Sequence, residues 1–388
     1  MKHKSVCVLA LTAVLMLGSG CATDVHDIEK LVYASAIGVD YKDGQYYGYV
    51  QFIDFQSVAK TTETQKQPAK TWVGEGKGES FEESLFDIYR SAQERIYWGH
   101  VTAILISESA FKQGFANITD SISRYYEFRL TPWVYGTKEP IKDIFSTSGF
   151  FGRSPLATIL HEPEGIYTQT SLIKAVKLHR LIAQTYEPGF TSCIPTLAVN
   201  KEQWSEKEKT DPKLMIDGAI FLKNESYRSY IGLKDLAGLR WVQKGSVRAG
   251  IPVPSPSEPK VQLVFDNPKS RLKLVHGGSD PKYDISLKAT GYMVNRNGND
   301  MMGLQQLTDK TKEAIEREIR KTYQAGRKKK TDVLNLEHNL YRNHYPKWKA
   351  MSSVEDKLLA EDTIRDIHLD INITHTGSEK NKHIKRIN

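Results

Sequence analysis

The spacing of apolar residues changes period several times along the chain, and those changes mark out its elements. Residues 31–39 are largely apolar, Lys42, Asp43 and Gly44 form a turn signal, and residues 46–52 are again apolar and aromatic, which predicts a β-hairpin. Residues 58–70 carry Thr, Gln and Lys without periodicity and read as an exposed loop. Gly74, Gly76 and Gly78 read as a turn leading to Ser80, which with Glu83 makes the capping-box pattern of a helix start. Phe81, Leu85, Ile88, Ala92 and Ile96 then fall on one helical face. Apolar runs at 100–107 and 130–135 read as strands flanking a helix over 109–126, and residues 171–186 have the apolar stripe of another amphipathic helix.

This alternation stops near residue 200. The polar stretch 201–213 (KEQWSEKEKTDPK) predicts a domain boundary, with two strands at 217–222 and 227–233 and a short helical segment over 234–241 beyond it. Four prolines within residues 250–259 exclude helix and central strand and predict a loop or stiff connector. Strands follow at 261–265, 272–276 and 283–294, with Asn297 and Gly298 as a turn. Residues 304–330 hold the longest helical pattern, and residues 332–345 predict a second helix stopped by Pro346. Ile367, Leu369, Ile371 and Ile373 alternate with polar residues, the signature of a half-buried strand. The pattern predicts a multi-domain α+β chain with mixed and antiparallel sheets and packed helices. Its three domains are 21–200, 201–280 with the proline-rich connector, and 281–377, and residues 378–388 read as a disordered tail.

The first twenty residues change this picture most. Lys2 and Lys4 precede a twelve-residue run from Val6 to Leu17 that is apolar apart from Thr12, and Gly18, Ser19 and Gly20 lead to Cys21. A bilayer-spanning helix needs about 20 apolar residues, so this is a signal peptide ending at a cysteine. Cys21 is the expected site of covalent diacylglycerol and acyl attachment, which anchors a protein stably where a single chain would not. Once Lys2 and Lys4 leave, the formal charge falls from +8 to +6. A mild basic excess suits an anionic lipid surface, and the dispersed charge and the export signal argue against nucleic acid as a partner. Cys7 leaves with the signal and Cys21 carries lipid, so Cys193 has no intramolecular disulfide partner and reads as a small buried hydrophobe.

The search for chemistry is mostly negative. His338 and His344 are six apart, unlike the i,i+4 pair of a helical zinc site, and no Cys/His cluster or HExxH stands in the sequence. The glycines of GEGKG lack the spacing of nucleotide-binding loops, and no GxSxG nucleophile elbow occurs. No catalytic residue, metal ligand or cofactor is expected. His100, at a strand start, and the cluster Arg327, Lys328, Lys329 and Lys330, at a helix C-terminus, are the interface candidates.

Several stretches together resemble the Ger(x)C family, the lipoprotein C subunits of spore germinant receptors. They are AIGVDYKDGQYYGYVQF (36–52), YWGHVTAILISESAFKQGF (97–115), DGAIFLKNES and YIGLKDLAGLRWVQKG within 217–245, TDVLNLEHNLYRNHYPKWK (331–349), and the closing strand that ends at Thr376 and Gly377. The chain departs from the family pattern at Gly18, where a lipobox usually has Leu, and at Ala22 and Thr23, where the family commonly has Trp-Asp. The resemblance implies a three-domain α+β protein on the outer face of the spore inner membrane, without catalytic residues. It also implies assembly with two integral-membrane subunits, of A and B type, and a part in receptor assembly and germination signalling through protein contacts. The alternative is a solute-binding lipoprotein of a transporter, which should consist of two similar α/β lobes.

Overall fold

The structure is a computed structural model, and it describes residues 31–53, 70–124, 127–254, 259–276, 280–296, 303–351 and 357–374. The signal peptide, Cys21, residues 58–69 of the expected loop, the Asn297-Gly298 turn and the tail lie outside the described residues. Twelve strands precede the proline-rich stretch: β1 (Leu31–Lys42), β2 (Gln45–Ile53), β3 (Thr71–Gly78), β4 (Arg95–Tyr97), β5 (Ala103–Ser107), β6 (Trp133–Thr137), β7 (Val176–Lys177), β8 (Thr191–Asn200), β9 (Ser205–Glu206), β10 (Lys209–Thr210), β11 (Lys213–Lys223) and β12 (Ser226–Gly232). Four more follow: β13 (Arg248–Pro254), β14 (Pro259–His276), β15 (Lys282–Arg296) and β16 (Ile364–Thr374). The helices used below are α1 (Phe81–Tyr89), α2 (Glu108–Arg124), α3 (Ile141–Ser146), α4 (Pro163–Gln169), α5 (Leu178–Thr185), α6 (Leu239–Val242), α7 (Leu304–Lys328), α8 (Leu336–Asn343) and α9 (Tyr345–Ala350).

One mixed sheet runs in the order β12-β11-β8-β6-β5-β1-β2-β3, with β4 and β7 pairing at its side. Strands β1, β5, β6 and β8 are mutually parallel, whereas the hairpins β1–β2 and β11–β12 are antiparallel. Period-two alternation divides the buried side chains between the two faces. Ile37, Ile104, Ile106, Ile194 and Ile220 pack with α1, α2 and α5, while Ala36, Leu105, Tyr135 and Leu197 pack with α3 on the other side. A second sheet, β13-β14-β15-β16, is antiparallel except for β15–β16 and packs its apolar face on α7. Ala219 and Phe221 of β11 belong to that second core, so the two sheets share a continuous apolar contact. The fold is the expected multi-domain α+β.

The hairpin at the start, the helix at Ser80 and the closing alternating strand stand as the pattern predicts. Elsewhere the structure differs for identifiable reasons. The polar stretch 201–213 holds the small β9–β10 hairpin, and β8 and β11 on either side of it pair along their length. The large sheet thus continues through the expected boundary at residue 200, and residues 201–280 are divided between the two sheets. The first half of the proline-rich stretch is strand: Pro252 and Pro254 lie in β13, an edge strand, where missing N–H donors are tolerated, and residues 255–258 lie outside the described residues. Helix α1 stops at Tyr89, and Ile96 reaches the same core from β4. The stripe over 171–186 is helical only from Leu178, and Pro346 opens α9 instead of only ending α8.

The GEGKG glycines form strand β3, not a turn. Their i,i+2 spacing puts Gly74, Gly76 and Gly78 on one strand face, against α1. A Cβ on Gly76 would lie 2.2 Å from the Ser84 carbonyl oxygen, so only glycine allows the helix this close. Overpacking of this kind costs about 1–3 kcal/mol. Gly76→Ala is expected to lower the urea-unfolding midpoint accordingly, while Gly165→Ala, with nothing within 4 Å of its Cβ, should not. Equal midpoints would contradict this packing.

Candidate functional site

The residues singled out in the sequence do not converge on one site. His100 is exposed and packs edge-on against Tyr33 and at a tilt against Tyr97, with ring centroids 5.1 and 5.6 Å away, at the end of the large sheet where β1 begins. Arg327, Lys328, Lys329 and Lys330 close α7 in a Schellman arrangement: Thr331 N–H donates to Gly326 O at 2.9 Å and Lys330 N–H to Arg327 O at 3.0 Å, with Lys330 left-handed at φ 50. Arg327 reaches Glu361 at 3.5 Å, while the three lysines are exposed. Cys193 is packed against the second core, and burial pushes its thiol pKa up to about 12, far from that of a nucleophile.

Asp284, Asp366 and His368 bring three ligand-type atoms within 4.8 Å of one another. Arg365 already fills the middle of this group. Its guanidinium donates to both Asp284 oxygens at 3.0 and 2.6 Å and reaches Asp366 at 3.0 Å, and it holds the Asp284 carboxyl below its ordinary pKa. A metal ion would have to displace that cation.

The most enclosed charges lie where the two sheets meet. Lys223 ends β11 and its ammonium sits 2.5 Å from the Glu337 carboxylate, with only 6% and 10% of the two side chains exposed. Trp348 of α9 donates its indole N–H to the other Glu337 oxygen at 3.2 Å, and the Glu337 backbone N–H donates to Asp332 at 2.8 Å. Beside them Asn335 copies a strand partner: its side-chain oxygen accepts from Thr191 N–H at 2.7 Å and its amide donates to Thr191 O at 3.1 Å. Asp332, Asn335, Glu337 and Trp348 all come from the single stretch 331–349, which therefore fastens the C-terminal module to the large sheet. Burial raises the Asp332 carboxyl to about 6.

A second buried polar group secures the other face. His161 bridges Thr102 Oγ1 at 2.6 Å and Gln51 Oε1 at 3.0 Å, and Gln51 donates its amide to Phe145 O at 2.7 Å. That donation fixes Oε1 as an acceptor, so neutral His161 carries its proton on Nε2 and accepts from the Thr102 hydroxyl. Burial holds its pKa down at about 3. From His161 the chain enters α4, then a strap over 170–175 in which Ser171 Oγ accepts from Val247 and Arg248 N–H at 2.9 and 3.0 Å. Between α4, the strap, β6, β11 and residues 245–247 lies a cavity of about 280 Å³.

Sequence reasoning missed Lys223, His161 and this cavity, because the partners lie 110 or more residues apart. Asp332, Glu337 and Trp348 stand inside the family-like stretch 331–349, and nothing local in it gives their role.

Two outcomes test the junction. Removing one partner of a buried ion pair costs about 3–5 kcal/mol, so Lys223→Met should lower the unfolding free energy by that order in denaturant titration. The Asp332 carboxyl titrates near 3.8 when unfolded and near 6 when folded, so the folded chain holds more protons between those values. Its contribution to stability is fully present below about pH 4 and is lost as pH rises through about 6. Asp332→Asn should remove that slope, and parallel stability curves for the two proteins across this window would contradict it.

Comparison with known proteins gives the family. Residues 24–199 match the model described as "Spore germination protein N-terminal domain", and residues 216–377 match "Spore germination B3/ GerAC like, C-terminal". A relative from Bacillus subtilis (strain 168), "Putative spore germination protein YfkR", is 29% identical over 224 residues, covering 56% of each chain, so the chain spans about half the length of that curated relative. The solved structure "Crystal Structure of the GerBC protein" aligns over 90% of this chain and 99% of its own, with a TM-score of 0.52 and 18% identity, which shows a common fold. The two models together take in most of the sequence, and the chain belongs to the Ger(x)C family of spore germinant-receptor C subunits.

Proposed function

We propose that this chain is a lipid-anchored subunit of a spore nutrient germinant receptor, held by diacylglycerol and acyl chains on Cys21 at the outer face of the spore inner membrane. It assembles with two integral-membrane subunits, of A and B type, and supports receptor assembly and signalling by protein contact, without catalysis or a cofactor. The observation that carries this reading is the family match, which begins at residue 24, three residues after Cys21. Among the described residues no helix is long and apolar enough to cross a membrane. The solute-binding alternative calls for two similar lobes, whereas the sheets differ in strand number, order and helix content.

An exposed aromatic tip supports contact with a protein. Phe151 is 93% exposed and left-handed at φ 58 and ψ 37, a conformation that costs a bulky residue about 1–2 kcal/mol. Phe150 beside it packs edge-on against exposed Trp204 at 4.7 Å, with the Lys213 ammonium 5.0 Å from its ring. Strain and exposed aromatic surface together are retained where they are used. Following the register from Lys213 through Asn200, Thr137 and Ser107 to β1 puts this tip level with the Asp43-Gly44 turn. That is about 12 residues and ~40 Å along β1 from Leu31, the first described residue. The tip therefore stands at the opposite end of the sheet from Leu31, and its exposed aromatic surface is of the kind that protein partners cover.

Cys21→Ala should shift the protein from the membrane to the soluble fraction of disrupted spores and impair germination. Full membrane retention of this variant would contradict the anchor.

A further inference from the structure

The cavity of about 280 Å³ lies between the two family modules. Trp133 and Tyr135 of β6, Ile166 of α4 and Ile173 of the strap come from the first module, whereas Ile216 and Val247 come from the second. Its volume is about twice the ~150 Å³ that accommodates benzene in an engineered apolar cavity. Small-molecule sites are mostly apolar, largely preformed, and favour domain boundaries, with a few polar groups at one end fixing orientation. Here the polar end is the mouth.

Two charged residues stand there, Lys174 and Glu164, and both are exposed. Among the described residues neither forms an ion pair. Glu164 lies in the first turn of α4, where backbone N–H groups already favour a negative charge. Lys174 has no such compensation. Its ammonium sits over the Gly245 turn, 3.0 Å from where a Cβ of Gly245 would stand, and Gly245 is left-handed at φ +83, a backbone conformation that favours glycine. The strap that carries Lys174 is tied to the second module through Ser171, Val247 and Arg248, so a molecule filling the cavity touches the linkage between modules.

We propose that this cavity is a binding site for a small, largely apolar molecule with one anionic group. The body lies among Trp133, Tyr135 and the isoleucines, and the anion lies at Lys174. Occupancy braces the strap against β6 and β11 and so couples ligand to the relative position of the two modules. This site is independent of the lipid anchor and of the membrane partners.

The four isoleucines of the wall, Ile159, Ile166, Ile173 and Ile216, allow a direct test. The purified full chain, labelled at isoleucine δ1 methyls, is titrated with 2-naphthoate and, separately, with neutral 2-naphthylmethanol. The expected result is saturable shifts of those four methyls, with Ile37, Ile104 and Ile122 of the α1–α2 core unmoved. Lys174→Gln should weaken naphthoate about fivefold, the order of one exposed charge pair, leave the neutral probe unchanged, and Glu164→Gln should tighten naphthoate. Both variants are at exposed positions, and their unperturbed methyl spectra serve as the control for folding. No shift of the wall methyls at millimolar probe, shifts that fail to saturate or that spread over surface methyls, or equal affinity of wild type and Lys174→Gln for naphthoate would each overturn the proposal.

Discussion

The architecture depends on a salt bridge that is almost completely withdrawn from water. Lys223 closes β11, the strand through which the large sheet shares apolar core with the C-terminal module, and Glu337 opens α8 on the other side. Burying such a pair is costly, and hydrogen bonding must satisfy what the charges leave open. Trp348 takes the second Glu337 oxygen, and Asp332 takes the Glu337 N–H. One short stretch thus supplies nearly every polar contact at this junction, and the β9–β10 hairpin, the strap and the cavity mouth all sit on a scaffold whose two halves it aligns. The raised Asp332 carboxyl is chiefly the consequence of burial at this junction, with the Glu337 charge beside it adding a smaller push in the same direction.

Elements whose pattern is local were legible in the sequence. The 31–53 hairpin is set by apolar runs and the Asp43-Gly44 turn, the Ser80 helix by its cap, and β16 by strict alternation. The errors share a cause. GEGKG carried the two-residue period of a strand, and the usual association of glycine with turns outweighed it. The buried strand Ala103–Ser107 was recognisable by its apolar run, but residues 171–177 looked helical because a strap that buries Ile173 and Val176 can match a 3.6-residue spacing over so short a length. The polar stretch from residue 201 falls between the two family matches, which end at residue 199 and begin at residue 216, while strand pairing between residues 191–200 and 213–223 carries the large sheet across it.

The candidate site was less legible than the fold. His100 and residues 327–330 are surface features of ordinary kind, an aromatic nest and a helix end, and their placement is explained by packing and capping. The groups with the strongest physical signature, Lys223 with Glu337 and His161 with Gln51, are joined across 114 and 110 residues. No window of sequence contains such a pair. The same holds for the cavity, whose wall is assembled from both family modules.

Leu31, where the described residues begin, and His100 stand at one end of the large sheet, and the strained aromatic tip of Phe150, Phe151 and Trp204 stands at the other, level with the Asp43-Gly44 turn. The measurement that bears most directly on this is crosslinking in intact spore inner membranes from a photoreactive residue placed at Phe151, followed by mass-spectrometric identification of the adducts. The account predicts adducts with the multispanning subunits of a germinant receptor. Recovery of transporter components alone, or of lipid adducts alone, would contradict it.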